Sequence, residues 1–193
     1  MPKRLWIFLA WIAGAAVLTV GVGLFLQQKP QKQTTTSSVL RTTDYALRTS
    51  ASTNALVTRV IDGDTIDVQE DGTTGNRRIR LLGINTPETV DPRKPVECFG
   101  KEASAHMHAL VEGRRILLTA DPQADERDIY GRELRNLFLE DGTDVNATMV
   151  QDGYAYAYLF FPLDPARKRE LKKLEYEAKT AERGLWSPVA CPR

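Results

Sequence analysis

Three short segments of this chain set charged and amide side chains where an apolar core would not take them. The first is Ile61-Asp62-Gly63-Asp64-Thr65. Two carboxylates flanking a glycine suit a hard cation, because the backbone can bend around a point where oxygens collect. The same residues also suit an ordinary hairpin turn. The second segment runs from Arg80 through Leu81, Leu82, Gly83, Ile84, Asn85, Thr86 and Pro87 to Glu88. An arginine inside an apolar strand needs an anionic partner, either an internal carboxylate or a phosphate that its planar fork grips at two points. Asn85 offers an amide oxygen. Thr86 precedes proline and is held extended, which aims its carbonyl. Glu88 could take a proton from water. The third segment, Asp128-Ile129-Tyr130-Gly131-Arg132, adds a second arginine after a glycine. Two arginines, a cation and a carboxylate base form a sufficient kit for cleaving a phosphodiester, since charge builds on the phosphate as water attacks.

The elements that must carry these residues are short. Val57–Ile61, Thr65–Gln69 and Arg77–Ile84 are β-prone runs separated by turn residues, and they predict a three-stranded antiparallel meander. Phe99–Val111 has apolar residues at helical steps (Phe99, Ala103, Met107, Leu110) and a stop at Gly113. Arg115–Ala120 and Leu134–Glu140 predict two further strands, with the acidic stretch Asp121–Asp128 read as a solvated connection or a rim of the site. Thr143 or Asp144 caps a short helix that ends before Gly153. Asp164-Pro165 opens a last helix, in which Leu171, Leu174, Ala178, Ala181 and Leu185 share one face and Gly184 closes it. The expected fold is α+β and mainly β: a five-stranded Greek-key barrel of the OB type with helices packed on it.

With 193 residues, 42% of them hydrophobic, the chain holds one domain's worth of globular sequence. Net charge is +1, unevenly spread. The first 52 residues carry Lys3, Arg4, Lys29, Lys32, Arg41 and Arg48 against Asp44, which leaves residues 53–193 mildly acidic. Such a domain does not bind polyanions by bulk charge, so any nucleic-acid role rests on a local site.

Leu5–Leu26 is uncharged over 22 residues, about 33 Å as a helix and enough to cross a hydrocarbon core. Lys3 and Arg4 before it favour a cytoplasmic N-terminus, with the chain beyond Leu26 outside the cytoplasm. Residues 1–26 are therefore expected to be an N-terminal transmembrane anchor, or a signal segment cleaved near Gly21-Val22-Gly23. Residues 27–52, rich in Thr, Ser and Gln, read as a flexible linker, and 53–193 as the functional domain. Cys98 and Cys191 both fall in the exported part, where two thiols usually pair. His106 and His108 lie two apart on a helix, face different ways and read as surface residues.

Taken together, and in this order and approximate spacing, the Asp62–Thr65, Arg80–Glu88 and Asp128–Arg132 segments resemble the thermonuclease (staphylococcal nuclease-like) family, from about Ala55 to Pro188. The resemblance implies an OB-type barrel with three helices and calcium-dependent hydrolysis of DNA and RNA to 3′-phosphate products. By matched position it implies Asp64, Asn85 and the Thr86 carbonyl as calcium ligands, Glu88 as general base, and Arg80 and Arg132 on the phosphate. The chain departs from the family at Asn85, where the reference nuclease has an aspartate; fewer charges on the site lower calcium affinity, and Asp62 or Asp67 is a candidate for compensating. It departs again where the reference has two base-contacting tyrosines. The counterparts here are Leu159 and Phe161, beside Tyr156, Tyr158 and Phe160, so a base could stack on Phe161. The expected partners are a DNA or RNA substrate and the membrane, with a monomeric chain and no protein partner. The rival reading is a catalytically silent binding module of the same fold.

Overall fold

The computed structural model describes residues 52–89, 91–93 and 95–192. The anchor and linker assigned to residues 1–51 lie outside them, and among the described residues no helix is long and apolar enough to cross a membrane.

Strand β1 spans Ser52–Val60, starting earlier than its sequence signal at Val57. Its inward residues are Ala55, Val57 and Val60, and the odd step between the last two reflects a register shift opposite β2, between Val57 and Arg59. That bulge hid the alternation in the sequence. Strands β2 (Thr65–Glu70) and β3 (Arg77–Leu81) complete the antiparallel meander. After them β4 (Ile84–Asn85) leaves the barrel wall, and β5 (Arg115–Thr119) and β6 (Glu133–Leu139) return to it. β6 lies parallel to β3 and antiparallel to β5, which pairs with β1, so five strands close a barrel in the order β1-β2-β3-β6-β5.

The expected strand Arg77–Ile84 is broken at Gly83. Its φ is +73°, and a Cβ there would stand 2.5 Å from Leu171 Cδ1. Only glycine both turns the chain and lets it pass this close to a neighbouring side chain. Beyond the break, β4 pairs with β7 (Tyr156–Ala157) in a small separate sheet, Asn85 opposite Tyr156. The turn thereby carries Asn85 out of the barrel wall, and a continuous strand would not.

Among the described residues, three helices flank the barrel. Helix α1 (Gly100–Val111) buries Ala103, Met107 and Val111. Helix α2 (Val145–Gln151) is capped by Asp144, whose side chain accepts from the Ala147 amide at 2.9 Å. Helix α3 (Pro165–Thr180) begins where expected, with Asp164 accepting from the Ala166 and Arg167 amides. It ends before Gly184: Ala181 is its C-cap and Glu182 turns to φ +51°. Leu185 reaches the core from a separate 3-10 turn, Gly184–Trp186, so the step of four that mimics a longer helix is a coincidence of two elements. The core is shared by barrel and helices, with Ile66, Val68, Ile79, Leu81, Met107, Leu137, Met149 and Leu171 fully enclosed. Cys98, just before α1, is bonded to Cys191, with a Cα–Cα distance of 5.9 Å.

Candidate active site

The turn from β1 to β2 carries Asp62, Gly63 and Asp64. Glycine is needed here for closeness, not for the backbone freedom its place in a turn suggested: a Cβ on Gly63 would lie 2.7 Å from Thr86 Cγ2, while its φ is ordinary. That contact seats Asp64 directly against the segment leaving β4. Asp64 Oδ1 accepts from the Thr65 hydroxyl at 3.0 Å, and Oδ2 accepts from the Thr86 amide at 2.9 Å. Arg80 Nη2 lies 3.0 Å from the same Oδ2 and donates to Asn85 Oδ1 at 3.1 Å. Asp64 and Arg80 are only 6% and 5% exposed. Asp64, Arg80, Asn85 and Thr86 thus form one directly bonded group.

Asp62 borders this group, accepting from the Asp64 amide at 3.0 Å. Burial, and after it the negative charge of Asp64, push its carboxyl up to about 6; Arg80 opposes the rise without cancelling it. Asp67 stands apart, gripped by both arms of the Arg78 guanidinium at 2.8 and 3.1 Å. Of the two aspartates considered as compensation for Asn85, Asp62 is therefore the one beside the site. The side-chain oxygens gathered here are the Asp64 carboxylate and the Asn85 amide oxygen, both already engaged by Arg80, and among the described residues no group of three or more histidine, cysteine or acidic side chains could hold a metal ion. An oxygen-only set fits a hard cation such as calcium and does not fit zinc.

Arg132, immediately before β6, reaches toward the same group. Asp128 Oδ2 accepts from its Nε at 2.7 Å, and Oδ1 accepts from the Tyr130 and Arg132 amides at 2.9 and 3.0 Å. The guanidinium is held by its inner nitrogen, and Nη1 reaches the Thr65 hydroxyl at 3.4 Å, the same hydroxyl that donates to Asp64. Next to Arg132, the buried Glu133 is ion-paired to Arg77, Arg127 and Arg135, which fixes the base of this loop.

Glu88 follows Thr86 by two residues and takes its orientation from its own loop. Its Oε1 accepts from the Thr89 and Asp91 amides at 2.8 and 3.1 Å. Phe161 lies beside Arg80, with the guanidinium carbon 6.0 Å from the ring centre, and Tyr158 packs edge-on against it at 5.2 Å. Phe160 is 88% exposed, whereas Leu159 packs on the core.

The model of the staphylococcal nuclease homologue family matches residues 78–188. The thermonuclease of Staphylococcus hyicus is 36% identical over 132 residues, covering 68% of this chain and 74% of that protein. The chain belongs to the staphylococcal nuclease family. An uncharacterized endonuclease of Escherichia coli O157:H7 is 36% identical over 137 residues, 71% of this chain and 79% of that protein. An uncharacterized Bacillus anthracis protein is 38% identical over 132 residues, and the match spans only 59% of its length.

In this member of the family, several residues that organise the site carry little sequence signal. Asp128 sits in a recognised segment, but its grip on Arg132 is visible only once Gly131 folds the loop back, at φ +79°. Asn146, fully buried on α2, accepts from the Leu137 amide at 3.0 Å and donates to the Leu82 carbonyl at 2.8 Å, tying β6 to the turn after β3. Arg167, on the charged helix α3, is 1% exposed and pairs with Asp144 at 2.7 Å. The acidic stretch Asp121–Asp128 is likewise no solvated loop at its ends: Asp121 is buried and accepts from the Gln123 and Asp164 amides. Nor is His106 a plain surface residue, since its ring stacks on Tyr154 at 3.9 Å.

Proposed function

We propose that this protein is a calcium-dependent nuclease that hydrolyses phosphodiester bonds in DNA or RNA with little sequence preference. The observation that carries this reading is the position of Arg80, a buried guanidinium whose one nitrogen bridges Asp64 and Asn85. Arg80 is held there by internal partners, and its guanidinium is the group that would grip a phosphate brought to these oxygens by a cation. The names of the relatives, a thermonuclease and an endonuclease among them, support the same reading.

Asp64, Asn85 and the Thr86 carbonyl are the residues that would hold calcium, with Asp62 adjacent. Bound there, the ion supplies Lewis-acid polarisation of a phosphoryl oxygen. The chain's own groups do the rest. Arg80 and Arg132 donate to phosphate oxygens and hold the charge that builds as the phosphorus becomes five-coordinate. Glu88 accepts the proton of the attacking water. Asp128 fixes the direction of Arg132, and Phe161 offers a ring on which a base stacks. We place the domain outside the cytoplasm, tethered by Leu5–Leu26 or released by cleavage after it.

The test is incubation of the full chain, in detergent, with labelled single-stranded DNA, duplex DNA and RNA in calcium, in magnesium and with a chelator. Cleavage in calcium that the chelator abolishes supports the reading. A folded protein that binds these polymers without cutting them in millimolar calcium would instead be a silent module.

A further inference from the structure

Glu88 lies at one end of a segment that returns to it. The Glu88 amide donates to Glu97 Oε2 at 3.0 Å, and the Glu97 amide donates to the Glu88 carbonyl at 2.9 Å. The two residues therefore clasp each other across the loop. The residue after Glu97 is Cys98, covalently bonded to Cys191, 93 positions further on. Then comes Phe99 at φ +68°, a backbone conformation that side chains other than glycine rarely adopt, with its ring 5.3 Å from Tyr154. Gly100 is next, so close to the clasp that a Cβ on it would meet the Glu88 carbonyl oxygen at 3.1 Å and Thr89 Cγ2 at 2.6 Å.

The far end of the disulfide is itself secured. The Cys191 amide donates to the Ser187 carbonyl at 2.9 Å, directly after the 3-10 turn. From that turn the Leu185 amide donates to the Gly153 carbonyl at 2.8 Å, while the Leu185 side chain is buried. A covalent line thus runs from the packed C-terminal turn to the residue beside Glu97. Glu97 and Cys98 are exposed, so core packing does not hold them in place. Without the covalent bond Glu97 is held by the two hydrogen bonds of the clasp and by the Gly100 amide, which donates to its carbonyl at 3.1 Å.

We propose that Glu97 is a positioning residue for Glu88 and that the Cys98–Cys191 disulfide is the latch that keeps it there, so that turnover follows the redox state of this bond. The proposal rests on the reading of Glu88 as the general base. A base displaced by about 1 Å loses roughly a hundredfold in rate. Because Cys98 is exposed, a small dithiol can reach the bond in the folded protein. The reagent supplies two electrons and two protons, Cys98 and Cys191 become thiols, and the reagent closes to its own cyclic disulfide.

The experiment measures kcat and KM in calcium for the full chain in detergent, well below its unfolding midpoint, with rates corrected for the folded fraction. The protein is tested oxidised, reduced with dithiothreitol, and as the Cys98→Ser/Cys191→Ser, Glu97→Ala, Glu97→Gln and Glu88→Gln variants. Reduction and the double serine variant are expected to lower kcat tenfold or more with KM within twofold, and dithiothreitol to leave the serine variant unaffected. Glu97→Ala is expected to do the same with the disulfide intact. Glu97→Gln is expected to recover most of the loss, because its amide oxygen still accepts from the Glu88 amide. Unchanged kcat in the folded reduced protein, or in Glu97→Ala, overturns the proposal. If Glu88→Gln is inactive while Glu97→Ala turns over normally, the base stands and the latch falls. If Glu88→Gln retains full turnover, the base reading fails and the latch with it.

Discussion

Arg80 Nη2 lies 3.0 Å from Asp64 and donates to Asn85 at 3.1 Å, joining an oxygen of the β1–β2 turn to one on β4. Lysine keeps the charge but offers a phosphate only a point contact. Arg80→Lys is therefore expected to lower kcat about a hundredfold. Arg80→Ala, which leaves a buried carboxylate without its cation, is expected to lose about 3 kcal/mol of stability in a chelator, and less in calcium. Steady-state rates at saturating calcium check the first expectation and denaturant titrations with and without calcium the second; equal stability losses in the two buffers would separate Arg80 from the cation site.

Asn85 contributes an oxygen but no charge. If it is a ligand, Asn85→Asp should lower the calcium concentration that gives half-maximal cleavage, since ligand charge is a main determinant of affinity. An unchanged or higher concentration would remove Asn85 from the ligand set.

Asp128 touches no substrate in this scheme and works only through Arg132. Asp128→Ala frees the guanidinium to rotate and is expected to reduce kcat about tenfold or more, with little change in calcium requirement. Asp128→Asn keeps an acceptor for the two amides and should fall between. If Asp128→Ala instead raised the calcium requirement and left kcat alone, its role would lie at the cation site.

How much of this was legible in the sequence depended on whether one residue or two distant ones carried the signal. The barrel strands and the Asp164-Pro165 start of α3 follow from local pattern; Arg80, Asn85 and Thr86 share one short segment, whereas Asp64 joined them only through the family resemblance. The break of β3 was not legible, because it needs Gly83 to meet Leu171 from a helix far along the chain. The end of α3 was missed for a similar reason: Leu185 keeps helical spacing while sitting on another element. The burial of Arg167 depends on Asp144 at the start of α2, which no periodicity within α3 reveals. Residues that align the site from a distance, such as Asn146 and Glu97, have their partners on other elements or across a loop, and their side-chain types alone do not single them out.

His106 gives the fold a pH dependence. Burial lowers its pKa from 6.5, and Asp152, 3.7 Å away, only partly opposes this. Since the unfolded chain then holds the proton more tightly, stability should fall as pH drops through 6.5 and be regained above it. Urea midpoints at pH 7.5 and 5.5 are expected to differ less in His106→Gln than in the unaltered protein. An equal difference in both would assign the acid loss to other groups.

The most direct test concerns Glu88. Turnover of Glu88→Gln at saturating calcium and substrate is compared with that of the unaltered protein, after circular dichroism and thermal unfolding show both to be folded alike. The expected result is a loss of several orders of magnitude in kcat, because the amide cannot accept the proton of the attacking water. Turnover within a few-fold of the unaltered protein would contradict the role given to Glu88, and with it the mechanism built around Asp64 and Arg80.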